Sequence, residues 1–274
     1  MTDDLERKEL NLRHIIADLK GVAVAYSGGV DSSYLLAISL DVLGTEHVVA
    51  YTADSPLLPR GELETARQIA TMLGATHRIV PFDDLSIPEV AANPPLRCYH
   101  CKWARFQALV ALAREAGDLV LIHGENADDK LDYRPGSKAA DELGIRAPLA
   151  EAGLTKADIR VLSRRRELPT WDHPAAACLA TRFPYNVPLT REGLERVERA
   201  EKYLRDVAGV RQLRLRDHHP VARIEVPVDD IPRLASDEMR ERIVRGLLEL
   251  GYLYVTLDLD GYRMGSMNDN IETS

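Results

Sequence analysis

Seven consecutive residues, Ser27-Gly28-Gly29-Val30-Asp31-Ser32-Ser33, follow an apolar run and open an amphipathic one. Two glycines permit a tight turn and let the backbone approach a ligand closely. The N–H groups that follow point outward from a helix N-terminus, where an anion is stabilised. Ser27, Ser32 and Ser33 add hydroxyl donors. The lysine of the common G-x-x-x-x-G-K-[ST] loop is missing, so this is a phosphate-binding turn of another kind, or an ordinary turn with a capping serine.

Cysteines make the second set. Cys98 and Cys101 stand in Pro94-Pro95-Leu96-Arg97-Cys98-Tyr99-His100-Cys101-Lys102, just before or at the start of a helical run, and Cys178 lies far downstream in Ala177-Cys178-Leu179-Ala180-Thr181-Arg182. Both sulfurs of a C-x-x-C in such a turn can face one metal, and a helix N-terminus with Arg97 and Lys102 beside it suits thiolates. Only the fold can bring Cys178 to the pair. Three thiolates suit a [4Fe–4S] cluster with one iron open, although common clusters take four. Alternatively His100 completes a Cys3His zinc site, or the three are unrelated buried thiols.

Arginines make the third. In Arg211-Gln212-Leu213-Arg214-Leu215-Arg216 a strand would put Arg214 and Arg216 on one face, and the next run offers Arg223 and Glu225 against Ala222, Ile224 and Val226. If the two strands pair, three guanidiniums and a carboxylate share a face. Guanidinium suits bidentate contacts to phosphate and carboxylate; the alternative is a solvated face with an Arg–Glu pair. Arg263 is a further candidate.

The elements that must position these groups are legible in the hydrophobic pattern. Residues 21–26, 47–52, 76–82 and 118–124 read as buried strands, and 30–43, 60–73 and 100–116 as helices between them. An N-terminal helix at 5–19 precedes them, and helical stretches at 137–143 and 155–167 follow. This alternation implies βαβ units and a parallel sheet covered on both faces. A proline-punctuated segment at 171–188 carries Cys178. Beyond it, a helix at 190–207, strands at 212–216 and 221–226, a helix at 236–250 and a strand at 252–259 form a smaller α+β domain at 189–274, after a first domain at 1–170.

The chain has 274 residues, 45% of them hydrophobic and 28% charged, with 35 Lys plus Arg against 43 Asp plus Glu for a net charge of −8. That composition belongs to a globular protein with a real core. No apolar stretch approaches the ~20 residues that span a bilayer, and the start, Met1-Thr2-Asp3-Asp4-Leu5-Glu6, lacks the apolar region of a secretory signal. The expected compartment is the cytoplasm, where thiols stay reduced. The acidic balance argues against broad nucleic-acid binding.

The turn at 27–33 resembles the PP-loop, SGGxDS, of the ATP pyrophosphatase superfamily, whose members split ATP between its α- and β-phosphates and use the AMP half for activation. The resemblance implies a Rossmann-like α/β fold (adenine nucleotide alpha hydrolase-like) with ATP at Ser27, Gly28, Gly29, Asp31, Ser32, Ser33, Thr52 and Gly124. In Gly124-Glu125-Asn126-Ala127-Asp128-Asp129, Asp128 and Asp129 are candidates to hold Mg2+. More specifically, SGGVDSS (27–33), TADSPLLPRGELETA (52–66), RCYHCK (97–102), DYRPG (132–136), ACLATRFPY (177–185) and GYRMGSMN (261–268) are similar to the LarE-type ATP-dependent sulfur transferases, over nearly the whole chain. Those enzymes mature the nickel-pincer nucleotide cofactor of lactate racemase by converting the carboxylates of pyridinium-3,5-biscarboxylic acid mononucleotide to thiocarboxylates. The resemblance to the subgroup with the additional C-x-x-C implies a [4Fe–4S] cluster on Cys98, Cys101 and Cys178 that carries the transferred sulfide. It also raises Arg214 and Arg216 as substrate ligands, with Arg223 and Arg263 beside them. Glu125 departs from the family pattern, which has Thr there.

The expected partner is a small anionic nucleotide, with no membrane and no nucleic acid, and the chain is expected to act as a homo-oligomer. No motif encodes the source of the sulfide. Rival readings are a tRNA thiolase, a sacrificial Cys178 beside a structural zinc, and a non-enzymatic ATP-binding metal or redox sensor.

Overall fold

The computed structural model describes residues 2–131, 135–174 and 177–263. The chain divides into two compact units, Met1–Asp83 with Leu96–Ala176, and Asp84–Pro95 with Ala177–Ser274.

The first unit is built on four parallel strands, β1 (Val22–Ala25), β2 (Val48–Asp54), β3 (Thr76–Pro81) and β4 (Val120–His123), in the order β3-β2-β1-β4. The short β-branched runs of β1, β2 and β4 suit a sheet buried on both sides, whereas β3, read from its pattern as buried, is an edge strand and holds no buried residue. Successive residues point to opposite faces, and each face has its own core. Val22, Val24, Val48, Ala50 and Ile122 pack with Leu12 and Ile16 of α1 (Thr2–Leu19), Leu35 and Ile38 of α2 (Val30–Leu43), Ile69 of α3 (Arg60–Met72) and Ile159 of a later helix. On the other face Ala23, Tyr51 and Leu121 pack with Phe106 and Leu109 of a long helix that runs from Arg97 to Glu115. Each fully buried Leu or Ile of these cores stabilises the fold by about 1.5–3 kcal/mol. Helix α2 is apolar nearly all round because it is buried nearly all round; of its mid-helix hydroxyls, Ser39 donates back to the Leu35 carbonyl at 2.7 Å and Tyr34 to Glu9 at 3.1 Å.

The chain crosses between units more than once. A short helix, α4 (Pro88–Ala91), belongs to the second unit, whereas the long helix that follows, α5 (Arg97–Glu115), returns to the first. The strand–helix alternation places 84–95 within the first domain; its contacts place it elsewhere. Asn93 explains this: its Nδ2 donates to the carbonyls of Pro184 at 2.8 Å and Val187 at 3.1 Å, and its own carbonyl accepts from Asn186 N at 2.8 Å. After β4 come α6 (Pro135–Glu142), α7 (Pro148–Glu151) and α8 (Lys156–Arg165). Thr155 and Asp158 close a reciprocal capping box at the start of α8.

In the second unit α9 (Arg191–Ala208) is capped by the Thr190 hydroxyl on Gly193 N and stopped by left-handed Gly209. Strands β5 (Arg214–His218) and β6 (Val221–Glu225) form an antiparallel hairpin. The chain continues through α10 (Ile231–Leu234) and α11 (Asp237–Glu249) to β7 (Tyr254–Leu257), which lies parallel to β6. The hairpin runs two residues further than the alternation suggests, through Asp217 and His218. Asp217 supports that extension: it is buried, accepts from Arg196 at 2.9 Å and Tyr252 OH at 3.0 Å, and its Oδ1 takes His219 N at 2.9 Å. No helix among the described residues is long and apolar enough to cross a membrane.

Candidate functional site

The turn at 27–33 joins β1 to α2 at the carboxyl end of the parallel sheet, where ligands bind in open α/β folds. Gly28 has φ +76°, and a Cβ there would come within 2.8 Å of the Ala66 Cα. Only glycine lets the loop turn this tightly against α3. Gly29 is the N-cap of α2, and the first intrahelical bond is Ser33 N to Gly29 O at 2.9 Å. The N–H groups of Val30, Asp31 and Ser32 lie ahead of that bond, as an anion site requires. Ser27 and Ser32 hydroxyls are 3.0 Å apart. Gly124 packs on the same helix end, where an added Cβ would meet Ser32 N at 2.9 Å.

Asp31 projects beside this turn. Its Oδ2 accepts from Lys156 Nζ at 2.6 Å and from Asn126 Nδ2 at 3.5 Å, while Oδ1 is buried without a hydrogen-bond partner. Burial pushes the Asp31 carboxyl up, Lys156 pulls it down, and the nearby Asp129 adds to the upward push. Lys156 is the residue that sequence reasoning missed. It supplies beside the turn the ammonium that the turn itself lacks, and it arrives from the first position of α8, fixed there by the Thr155–Asp158 capping box. That box was the only local signal available.

Thr52 is buried, and its hydroxyl donates to the Tyr26 carbonyl at 2.8 Å. With that proton committed, His77 Nε2, also 2.8 Å from the same oxygen, must be the donor to it. Burial lowers the His77 pKa and Arg67 adds to this, so the ring is neutral with its proton on Nε2. Asp128 and Asp129 shape their own loop: Asp128 Oδ2 accepts from Lys156 N at 2.8 Å, and Asp129 Oδ2 from Asn126 N at 3.2 Å. Glu125 is buried with His123 Nε2 3.9 Å from its carboxylate.

Cys98 and Cys101 lie in the first turns of α5, three residues apart and therefore on one face. The helix begins at Arg97, earlier than the pattern suggests. Arg97 is 2% exposed, and its Nη2 lies 3.6 Å from Cys98 Sγ. His100 rests edge-on against Tyr99, whose hydroxyl donates to Glu142 at 2.6 Å. Cys178, in the second unit, caps a 3-10 turn, Leu179–Arg182. Each of the three cysteines is partly exposed and outside any disulfide. Among the described residues no three His, Cys, Asp or Glu side chains are already gathered as a metal site.

The hairpin pairs Arg214 with Glu225 and Arg216 with Arg223, so the three guanidiniums and the carboxylate share one face. That face is largely buried, not solvated. Arg216 is 5% exposed, bonds Glu225 Oε2 at 2.6 Å and gives its Nη1 to the Thr181 carbonyl at 2.8 Å. Arg223 reaches Glu225 and Asp258, each at 3.2 Å. Arg214 lies over the Tyr262 ring at 5.5 Å; burial lowers its pKa, and the charge of Arg182 adds to this. Arg263 is exposed, 3.7 Å from Asp260. Residues 132–134 of the DYRPG segment and 264–268 of GYRMGSMN lie outside the described residues.

No protein-family model matches the chain. It is 38% identical over 97% of its length to the pyridinium-3,5-bisthiocarboxylic acid mononucleotide synthase of Lactiplantibacillus plantarum, covering 96% of that protein. It is 44% identical to an uncharacterized protein of Synechocystis, over 96% of this chain and 98% of that one. Argininosuccinate synthase of Prochlorococcus marinus is 28% identical over 64% of the chain, which spans 46% of that enzyme. With the glycine turn, the strand order and the full-length identity taken together, the chain belongs to the family of LarE-type ATP-dependent sulfur transferases, within the PP-loop superfamily.

Proposed function

We propose that the chain adenylates a carboxylate of pyridinium-3,5-biscarboxylic acid mononucleotide and replaces its oxygen with sulfur, in the cytoplasm. The observation that carries the ATP half is Asp31: a buried carboxylate with one uncommitted oxygen, paired to Lys156, at the mouth of an anion-binding turn. Such a pair is poised for Mg-ATP. The ammonium turns to phosphate oxygens, and Asp31, with Asp128 or Asp129, is available to the cation. The carboxylate oxygen attacks the α-phosphorus, the bond to the β-phosphate breaks, and pyrophosphate leaves to the N–H groups of residues 30–32. A sulfur nucleophile then attacks the acyl carbon and AMP departs with the bonding electrons. Carboxylate oxygen is a poor leaving group and AMP a good one, so adenylation is what lowers the barrier. The substrate's phosphate and second carboxylate suit guanidinium, and Arg214, Arg216, Arg223 and Arg263 are the candidates.

Cys98, Cys101 and Cys178 are the residues that would hold a [4Fe–4S] cluster. Two thiols outside any disulfide on one helix face, with a third partly exposed at the head of a turn, are the donor type such a group needs. When bound, the cluster supplies the sulfur. The test is anaerobic purification with iron, zinc and acid-labile sulfide analysis, followed by pyrophosphate release with ATP and the mononucleotide. Iron and sulfide lost in Cys98→Ala, Cys101→Ala and Cys178→Ala, with substrate-dependent pyrophosphate release, supports the reading. Zinc, or no metal, overturns the cluster and leaves Cys178 as a sacrificial donor; ATP binding without turnover overturns the enzyme.

A further inference from the structure

Within the second unit the backbone around Cys178 is held to an unusual degree by one side chain. Arg182 Nη1 donates to the Ala177 carbonyl at 2.8 Å, the Cys178 carbonyl at 3.1 Å and Thr181 Oγ1 at 2.9 Å. The Cys178 carbonyl also accepts from Thr181 N at 3.0 Å and Thr181 Oγ1 at 2.8 Å, so three donors converge on one oxygen. The other edge of the guanidinium is gripped by Glu201, with Nε to Oε1 at 2.8 Å and Nη2 to Oε2 at 3.1 Å. Both side chains are 3% exposed. Glu201 is itself fixed by Arg205 at 2.7 Å and by Leu215 N at 3.1 Å. A second buried pair, Arg216–Glu225, takes the Thr181 carbonyl at the far end of the same turn.

Buried ion pairs are poor stabilisers compared with apolar residues of the same volume. This one directs three contacts at Ala177, Cys178 and Thr181, which a purely space-filling role would not require. We propose that Arg182, held by Glu201, is the positioning residue for Cys178: it locks the peptide groups on both sides of the cysteine and so fixes where its sulfur points. The inference builds on Cys178 being the working thiol of the proposed sulfur transfer. A nucleophile or ligand misplaced by an ångström loses orders of magnitude in rate, so a rigid backbone at this position has chemical value.

The test is made on the full-length chain, reduced and treated with a chelator under native conditions, with iodoacetamide as the probe and each cysteine read separately by peptide mass spectrometry. Arg182→Lys keeps the charge but loses the fork. Thr181→Val is isosteric and removes only the hydroxyl link, and it carries the test if circular dichroism finds R182K unfolded. The loss of a charge-assisted bond predicts alkylation at Cys178 faster by about tenfold in R182K and by a few-fold in T181V, with Cys98 and Cys101 changed by less than about twofold. Where sulfur transfer is measurable, R182K lowers kcat and leaves the KM for ATP unchanged. Unchanged Cys178 rates in every folded variant, or equal changes at all three cysteines, overturn the proposal. The thiol rates decide this even if the wild-type protein transfers no sulfur, in which case the functional reading fails and the positioning is judged alone.

Discussion

His123 ends β4 one residue before Gly124, so its protonation state bears on the strand end that packs against the N-terminus of α2. Burial first, and then the charge of Lys102, lower its pKa to about 3 from an ordinary 6.5. A base depressed in the folded state takes its proton only on unfolding. Its contribution to stability is therefore complete above about pH 6.5 and is lost as pH falls from there toward about 3. Linkage with these two values gives a loss of about 1.3 kcal/mol between about pH 7 and pH 5.5. The result is set by the unfolded value and barely changes for any folded pKa below about 4.5. His77 and His218 are also lowered by burial, so the quantity to compare is the pH dependence of the parent minus that of His123→Gln. Urea unfolding followed by circular dichroism at the two pH values measures it. We expect the parent to lose about 1.3 kcal/mol more than H123Q. Equal losses would mean that His123 accepts a proton in the folded protein and that the β4 end is not packed as described.

Further outcomes follow from the same geometry. Gly124→Ala places a Cβ 2.9 Å from Ser32 N, so the variant should fold but lose nucleotide binding by calorimetry; unchanged ATP affinity would show that the turn tolerates displacement. Lys156→Met leaves Asp31 buried and uncompensated, and pyrophosphate release should fall by about tenfold or more, whereas Lys156→Arg should retain part of it. Glu201 is penalised by burial, but Arg182, Arg205 and the Leu215 N–H outweigh this and hold its carboxyl below the usual range. Its contribution to stability is present above the ordinary carboxylate pKa and is lost as pH falls through the lower folded value. Acid titration of Glu201→Gln should accordingly show a shallower decline than the parent. Arg214→Gln should raise the KM for the mononucleotide with the KM for ATP unchanged; a parallel rise in both would assign Arg214 to the fold.

The sheet was legible in the sequence because its strands are short β-branched runs separated by helices of clear period, and because glycine turns have few uses other than close approach. The arginine face was legible for the same reason, since a period of two assigns Arg214, Arg216, Arg223 and Glu225 to one side without any tertiary information. What period cannot convey is burial. The same face reads as solvated until Arg216 is found committed to Glu225 and Thr181. Contacts that join distant parts of the chain carry no local signature. Lys156 meets Asp31 across 125 residues, His77 meets Thr52 across two strands, and Asn93 ties residues 84–95 to the second unit by carbonyls some 91 and 94 positions away. Arg182 is four positions from Cys178, yet its role rests on Glu201, which only the packing of α9 brings to it.

The most direct test of the central claim is mass spectrometry of both reactant and protein after incubation with Mg-ATP, pyridinium-3,5-biscarboxylic acid mononucleotide and sulfide under anaerobic conditions. The account predicts exchange of oxygen for sulfur in the mononucleotide over several turnovers, equimolar AMP and pyrophosphate, and a Cys178 that keeps its sulfur. A mononucleotide left unchanged while ATP binds would contradict sulfur transfer, and a single turnover leaving dehydroalanine at position 178 would contradict transfer from a cluster.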